Sequence, residues 1–285
     1  MANLFDYIAW RGDLSFAQCP VCAVDSLVFA ALSYANLEVL VPDGFPSLPL
    51  QEAAETLMAR PDHDKLVRSE NDGKFLLTAA RSPRFRSVQV CCCRAKTLED
   101  LETQFGAMAF LLPDGSAFLA FRGTDLTLVG WKEDFNMSFQ DIVPAQTEAA
   151  EYLKEFAAVF DGPLYLTGHS KGGNLSVYAA ATASLDVQER IRAVYNYDGP
   201  GFGHSMIGSE GYLRMIPRIQ TYVPESSIIG MLLEHEEPYS AVKSTQVSIF
   251  QHDVFTWEIL GADFVRAPGV DAHSRQMNVA IKTWL

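Results

Sequence analysis

The chain has 285 residues, 48% of them hydrophobic, and a formal net charge of −13, which suits one large α/β domain or a core with a small cap. That charge, with no cluster of Lys or Arg, excludes a nucleic-acid binder, which needs a basic stripe for the phosphates, and disfavours tight docking on anionic membranes. No stretch is long and uncharged enough to span a bilayer, the best being Leu27 to Val41, which contains Glu38. The N-terminus lacks a basic and apolar secretory pattern, so a cytoplasmic protein is expected.

The first 80 residues read as helical. Asp25 is expected to cap a helix over SLVFAALSYANLE, and QEAAETLMAR and DHDKLVRSE continue with helical spacing. Residues 1–80 are therefore expected to form a helical N-terminal region or cap, and residues 81–285 an α/β core. From Arg86 the texture turns to β-prone segments, RSVQVCCCRA, FGAMAFLLP and SAFLAFRG, with a hairpin turn at Pro113 to Ser116. Beyond Thr124, helices are expected over Glu148 to Phe160, Gly173 to Ser184 and Ala272 to Trp284. Strands are expected over Leu164 to Thr167, Ala193 to Tyr197, Ile219 to Val223 and Gln246 to Gln251. This alternation predicts a mostly parallel central sheet flanked by helices.

The five cysteines are Cys19, Cys22, Cys91, Cys92 and Cys93. Their odd number and the run of three exclude a disulfide framework. Cys19 and Cys22 have half-zinc-site spacing with no second pair to complete four ligands. Cys91 to Cys93 read as small buried hydrophobes alternating between the faces of a strand.

The most informative feature is Gly168-His169-Ser170-Lys171-Gly172-Gly173. It follows the apolar run Pro163 to Thr167 and precedes the small, helix-compatible run Asn174 to Ala183. A glycine-flanked serine in a strand-to-helix turn has the form of a nucleophile elbow, which holds a hydroxyl out of the fold. The helix that follows directs free N–H groups at any anion formed there. His169 adjoins the serine but points to the opposite face of the strand end, so it reads as a packed or hydrogen-bonded histidine beneath the elbow rather than as its base. Phe121-Arg122-Gly123-Thr124-Asp125 closes an apolar strand upstream, where the second half of an oxyanion hole belongs in an α/β hydrolase. The backbone N–H of Lys171 and the N–H and hydroxyl of Thr124 are the candidate donors.

FRGTD, then Trp131 and Asp134 in GWKED, then GHSKGG together resemble the class 3 lipases, whose fold is the α/β hydrolase. The chain is still more similar to a bacterial group of uncharacterised lipase-like hydrolases. That likeness takes in VDSLVFAALSY, NYDGPGF at Asn196 to Phe202, VPESSIIGMLLEH at Val223 to His235 and QHDVFTW at Gln251 to Trp257. The resemblance implies an oxyanion role for Thr124 and a lid over Leu126 to Asp134. Lys171 stands where class 3 lipases usually carry leucine, and puts a cation beside the nucleophile.

A serine hydroxyl needs an imidazole to take its proton. His252 fits, after the apolar run VSIFQ and in the chain order serine, acid, histidine. His273, at the start of the final helix, is the competitor, while His63, His204 and His235 read as solvated. Asp198, ending AVYNY, is the leading acid and Glu225, after IQTYV, the alternative. Asp253 reads as a helix cap. Met206, Met215, Met231 and Phe202 are read as core before acyl pocket, and Glu234 to Glu237 as a solvated helix end. No cofactor or metal is assigned. The expected activity is that of a serine hydrolase cleaving small-molecule or lipid carboxylic esters. An acyltransferase with the same residues, or a binding module on the same fold, is the alternative.

Overall fold

The N-terminal third of the chain folds as helices because its caps and apolar stripes are local. In the computed structural model, which describes residues 1–98, 103–124 and 142–284, these are α1 (Leu4–Arg11), α2 (Ala23–Leu32), α3 (Leu50–Met58) and α4 (Glu70–Arg81). Asn3 caps α1 by accepting from the N–H of Phe5 at 2.9 Å, and Asp6 returns the bond to the N–H of Asn3 at 2.9 Å. Helix α2 starts two residues before Asp25, so Asp25 lies inside the first turn and not at the cap. Its carboxylate accepts from the N–H of Cys22 at 3.0 Å. Asp25 is also fully buried against Arg84, whose Nε and Nη2 donate to it at 2.7 and 2.5 Å, and against the Tyr7 hydroxyl at 2.7 Å.

Among the described residues, eight strands follow one another across a single sheet in chain order: β1 (Leu48–Pro49), β2 (Gln89–Leu98), β3 (Thr103–Leu111), β4 (Ala117–Phe121), β5 (Leu164–His169), β6 (Ile191–Tyr197), β7 (Ile219–Pro224) and β8 (Tyr239–Val242). Strands β1 to β4 pair antiparallel, and β4 to β8 run parallel. Parallel crossovers share one hand, so a strand order that advances in one direction puts every connecting helix on the same face. The helices between these strands are α5 (Pro144–Val159), α6 (Lys171–Thr182), α7 (Leu185–Arg190), α8 (His204–Ile207) and α9 (Glu210–Met215). Leu153, Leu175 and Tyr212 from α5, α6 and α9 bury Leu119, Leu166 and Val194 of the sheet.

The opposite face carries the alternate residues Phe118, Tyr195 and Tyr222, and winding leaves it bare. It is covered by α1 to α4, through Leu27, Phe29 and Phe75, and by the segment around Trp257 and the hairpin of β9 (Ile259–Leu260) and β10 (Asp263–Phe264). The Phe29 ring lies 4.6 Å from that of Phe118. The last helix, α10, spans Ala272–Trp284. This mostly parallel sheet with helices on both faces and a strand-turn-helix at its centre is an α/β-hydrolase fold. No helix of the described residues is long and apolar enough to cross a membrane.

Besides the Asp25 cap, four local expectations differ from the structure. DHDKLVRSE forms only a 3-10 turn over His63–Lys65, because Val67 is drawn into a bridge with Ala35 and Ser69 caps α4 separately. Gln246 to Gln251 is no strand: Ser248–His252 is a 3-10 turn, and the sheet ends instead at Tyr239–Val242. Cys91 to Cys93 do not simply alternate. Cys92 has φ of 50° in a bulge between Cys91 and Arg94, so Cys91 and Cys92 share one face and Cys93 takes the other. All five cysteines are free thiols.

The fourth is the acidic run Glu234 to Glu237, which lies in a loop leading into β8 rather than at a helix end. Glu237 is buried, and its carboxylate accepts from the Thr221 hydroxyl at 2.7 Å, from the Tyr212 hydroxyl and from His235 Nδ1 at 2.9 Å. His235 is correspondingly buried, not solvated, its side chain 8% exposed. Burial pushes the Glu237 carboxyl up, but the bonds from His235, Tyr212 and Thr221 and the charge of His235 outweigh it and hold it below the ordinary range.

Two stability measurements follow from these buried groups. Arg84→Met leaves the Asp25 charge without its counter-ion and is expected to cost about 3–5 kcal/mol in urea unfolding, much of it recovered by adding Asp25→Asn. A carboxylate held below its unfolded pKa, about 4.3 for glutamate, stabilises the fold above that pH and ceases to do so as pH falls through the folded value. The melting temperature of Glu237→Gln is therefore expected below the native one at pH 7, with the gap narrowing as pH falls below about 4.3; a constant gap would refute this.

Candidate active site

Strand β5 ends at His169 and α6 begins at Lys171, leaving Ser170 alone between them with φ 58° and ψ −135°. A side-chain-bearing residue reaches that conformation only when its surroundings impose it. Here the Ser170 N–H donates to the Tyr197 carbonyl at 2.9 Å and its carbonyl accepts from the Gly173 N–H at 2.8 Å. The flanking glycines are forced by proximity: a Cβ on Gly168 would overlap the Gly172 carbonyl, and one on Gly172 the Phe121 carbonyl. The first N–H groups of α6 lack helical partners and point toward the turn. The Lys171 side chain leaves the site, being buried with its amine donating to the Gln104 carbonyl at 2.9 Å.

Asp198 stands one residue beyond β6, also at positive φ, 52°. Its N–H donates to the Tyr222 carbonyl at 2.8 Å, which turns its carboxylate toward the edge of the sheet where Ser170 lies. Asp198 Oδ2 accepts from His252 Nδ1 at 2.6 Å, while Oδ1 accepts from the Ser227 hydroxyl at 2.5 Å and the Gly230 N–H at 3.2 Å. The carboxylate is 1% exposed and the imidazole 26%. His252 therefore pairs with Asp198 and not with Glu225, whose backbone instead ties β8 and Asp271 together.

The remaining candidates separate cleanly. His273 and His204 are exposed in the first turns of α10 and α8. His63 bonds the Arg60 carbonyl at 2.9 Å. Asp253 caps the short turn after His252 by accepting from the Phe255 N–H at 3.1 Å. Met215 and Phe202 are core residues beneath α6, Met206 packs against them, and Met231 lines a separate outer cavity of about 410 Å³.

On the other flank, a Cβ on Gly123 would lie 3.2 Å from Ser170 Cβ, so the segment ending β4 abuts the elbow. Thr124 follows, half-buried. Arg122 is spent on structure, pairing with Glu38 at 2.9 Å and donating to the Ser33 carbonyl at 2.6 Å. Trp131, Asp134 and the expected lid over 126–134 lie outside the described residues.

His169 is buried beneath the elbow. Its Nδ1 meets the Tyr34 hydroxyl at 2.9 Å and its Nε2 the His252 carbonyl at 2.8 Å. Burial foremost, then the positive charges of His252 and Arg68, hold its pKa well below the usual histidine range. Sequence reasoning missed Tyr34, Ser227 and Gly230. The latter two fall within VPESSIIGMLLEH, and a small residue and a glycine two and five positions after Glu225 were the only signal there. Among the described residues no group of three or more His, Cys, Asp or Glu could hold a metal ion.

Solved structures similar to this chain include lipases. M37 lipase is 14% identical with a TM-score of 0.47, over 74% of this chain and 70% of that one. The Rhizomucor miehei lipase in its propeptide complex is 12% identical with a TM-score of 0.46, over 84% and 80%. A mutant form of MDLA from Penicillium cyclopium is 12% identical with a TM-score of 0.45, over 90% and 87%. No curated protein sequence matches the chain. A family profile described as Mbeg1-like matches residues 79–285, a span that takes in Thr124, the elbow, Asp198 and His252, and the chain belongs to the Mbeg1-like family.

Proposed function

We propose that the protein is a serine hydrolase that cleaves carboxylic esters of the lipase and esterase kind. The observation that carries this reading is the 2.6 Å bond between His252 Nδ1 and the buried Asp198 carboxylate, at the same sheet edge as the strained Ser170. The ring centroids of His252 and His169, the residue before Ser170, are 4.5 Å apart.

In this mechanism His252 Nε2 takes the Ser170 hydroxyl proton as Oγ bonds to the ester carbonyl carbon. The carbonyl electron pair moves onto oxygen, where the N–H groups of Lys171 and Thr124 receive it. Collapse expels the alcohol, which leaves with the proton from His252, and water then releases the acid from Ser170 by the same steps. Asp198 keeps the proton on Nδ1, so Nε2 presents its lone pair to the serine, and it stabilises the imidazolium formed in each half-reaction. Three donors need not reorganise around the carboxylate: Ser227, Gly230 and the imidazole hold both of its oxygens in place. The resemblance of FRGTD and GHSKGG to class 3 lipases supports acyl lipids or small carboxylic esters as the substrate class.

The test is labelling with a fluorophosphonate, followed by release of p-nitrophenol from acetyl to palmitoyl esters. The native chain is expected to label, Ser170→Ala and His252→Ala are expected not to, and Asp198→Asn is expected to lower kcat by about 10⁴-fold. A folded native chain that neither labels nor turns over any ester would leave the fold as a binding module. Turnover that survives Ser170→Ala would remove the serine from the chemistry.

A further inference from the structure

The buried histidine next to Ser170 has a defined protonation pattern. A carbonyl oxygen can only accept, so His169 Nε2, 2.8 Å from the His252 carbonyl, carries the proton. His169 is held neutral foremost by burial, so its Nδ1 carries a lone pair, and the Tyr34 hydroxyl at 2.9 Å is the donor to it. The bonds thus run one way, from Tyr34 O–H to His169 Nδ1 and from His169 Nε2–H to the backbone of His252.

Tyr34 is itself fixed. It follows α2 and is 3% exposed. The Arg68 guanidinium lies 3.8 Å from its ring centroid, and Arg68 is clamped to Asp72 of α4 by two bonds of 3.0 and 3.2 Å. The hydroxyl also fills the space where a Cβ on Gly123 would sit. One phenol oxygen therefore touches the end of the β4 segment, the elbow histidine and, through it, the loop of the base. Both Tyr34 and Arg68 precede the residues 79–285 matched by the family profile.

His252 needs this support. Its turn carries Val247 and Phe250, 71% and 68% exposed, so little packing holds the turn from outside. Its inner anchors are Trp257 Nε1 on the Gln251 carbonyl at 2.8 Å, Gln251 Oε1 on the Ser226 N–H at 2.8 Å, and His169 on the His252 carbonyl. Asp198 fixes one end of the imidazole and says nothing about the height of its backbone. A misplacement of about 1 Å costs on the order of 100-fold in rate.

We propose that Tyr34 and His169 are positioning residues that act through the backbone of His252, so that the N-terminal helical layer supplies part of the working geometry of the site. This rests on the ester-hydrolase reading for its consequence in turnover, and on the hydrogen bonds alone for its structural content.

The test compares Tyr34→Phe, His169→Met and His169→Gln in the full chain. Glutamine can offer an amide N–H where Nε2–H stood, and methionine cannot. Tyr34→Phe is expected to lower kcat about 10-fold and His169→Met about 100-fold, each with KM within about twofold, and His169→Gln to recover most of the loss. The second readout is the low-field proton resonance of His252 Nδ1–H, recorded in a Ser170→Ala background: expected sharp in the native and His169→Gln chains and broadened in the other two. Native kcat and an unchanged resonance in Tyr34→Phe would overturn the proposal, as would a loss confined to KM. Should the native chain hydrolyse no ester, the function proposed above falls while the resonance still decides the relay. Tyr34→Phe keeps the ring under Arg68 and provides the comparison even if His169→Met fails to fold.

Discussion

A parallel sheet that adds each new strand on the same side of the last must send all its crossovers over one face. In this protein β4 to β8 do so, and among the described residues the face that carries Phe118, Tyr195 and Tyr222 receives no crossover helix. Left to water, that aromatic surface would be an apolar liability, since each such ring buries on the order of 150–250 Å². The four N-terminal helices exist, energetically, to cover it. Because α2 crosses the sheet with Ser26 bonded to Thr167 of β5 at 2.9 Å, the end of that helix is delivered to the same edge as Ser170. Core packing and the geometry of the site therefore share one element.

The two residues at the edge with positive φ are built the same way. Ser170 follows β5 and donates to the last residue of β6; Asp198 follows β6 and donates to Tyr222 of β7. Each extends the parallel ladder by one rung past the strand and then turns back, at a cost of order 1–3 kcal/mol for the strained backbone. The ladder bond and the close packing of Gly168, Gly172 and Gly173 against neighbouring carbonyls and Asn196 over-determine the turn, so strain is held rather than released. The shared construction sets the hydroxyl and the carboxylate on adjacent strand ends, with the imidazole reaching in from a loop.

Legibility in the sequence followed the range of the interactions. The elbow was readable because its strand, its glycines and its helix are contiguous, and Asp198 because it closes a continuous apolar strand. The run VSIFQ misled for the opposite reason: its alternation of apolar residues imitates a strand, yet Val247, Ile249 and Phe250 face solvent and Gln251 closes the loop on itself through Gln246. Asp25 has the chemistry of a cap, but Arg84 lies 59 residues away, and that contact, not the local one, decides its burial. Tyr34 lies 135 residues from His169, and although it closes the run VDSLVFAALSY, nothing in that run says what its hydroxyl meets. The bulge at Cys92 was hidden because three like residues carry no pattern to break.

The residue types around His252 are then constrained more tightly than packing alone requires. Two imidazoles with centroids 4.5 Å apart cannot both hold a proton charge cheaply. Full burial keeps His169 neutral, while His252 stands partly exposed beside its Asp198 partner. A neutral ring offers one donor and one acceptor. The donor is committed to the His252 carbonyl, so whatever meets Nδ1 must donate, and a carboxylate or carbonyl there would reverse the tautomer and break the inner bond. Tyrosine meets that demand with a rigid hydroxyl whose ring can be clamped by Arg68. The charge state of one buried histidine thus dictates the chemistry of a residue on the N-terminal helices.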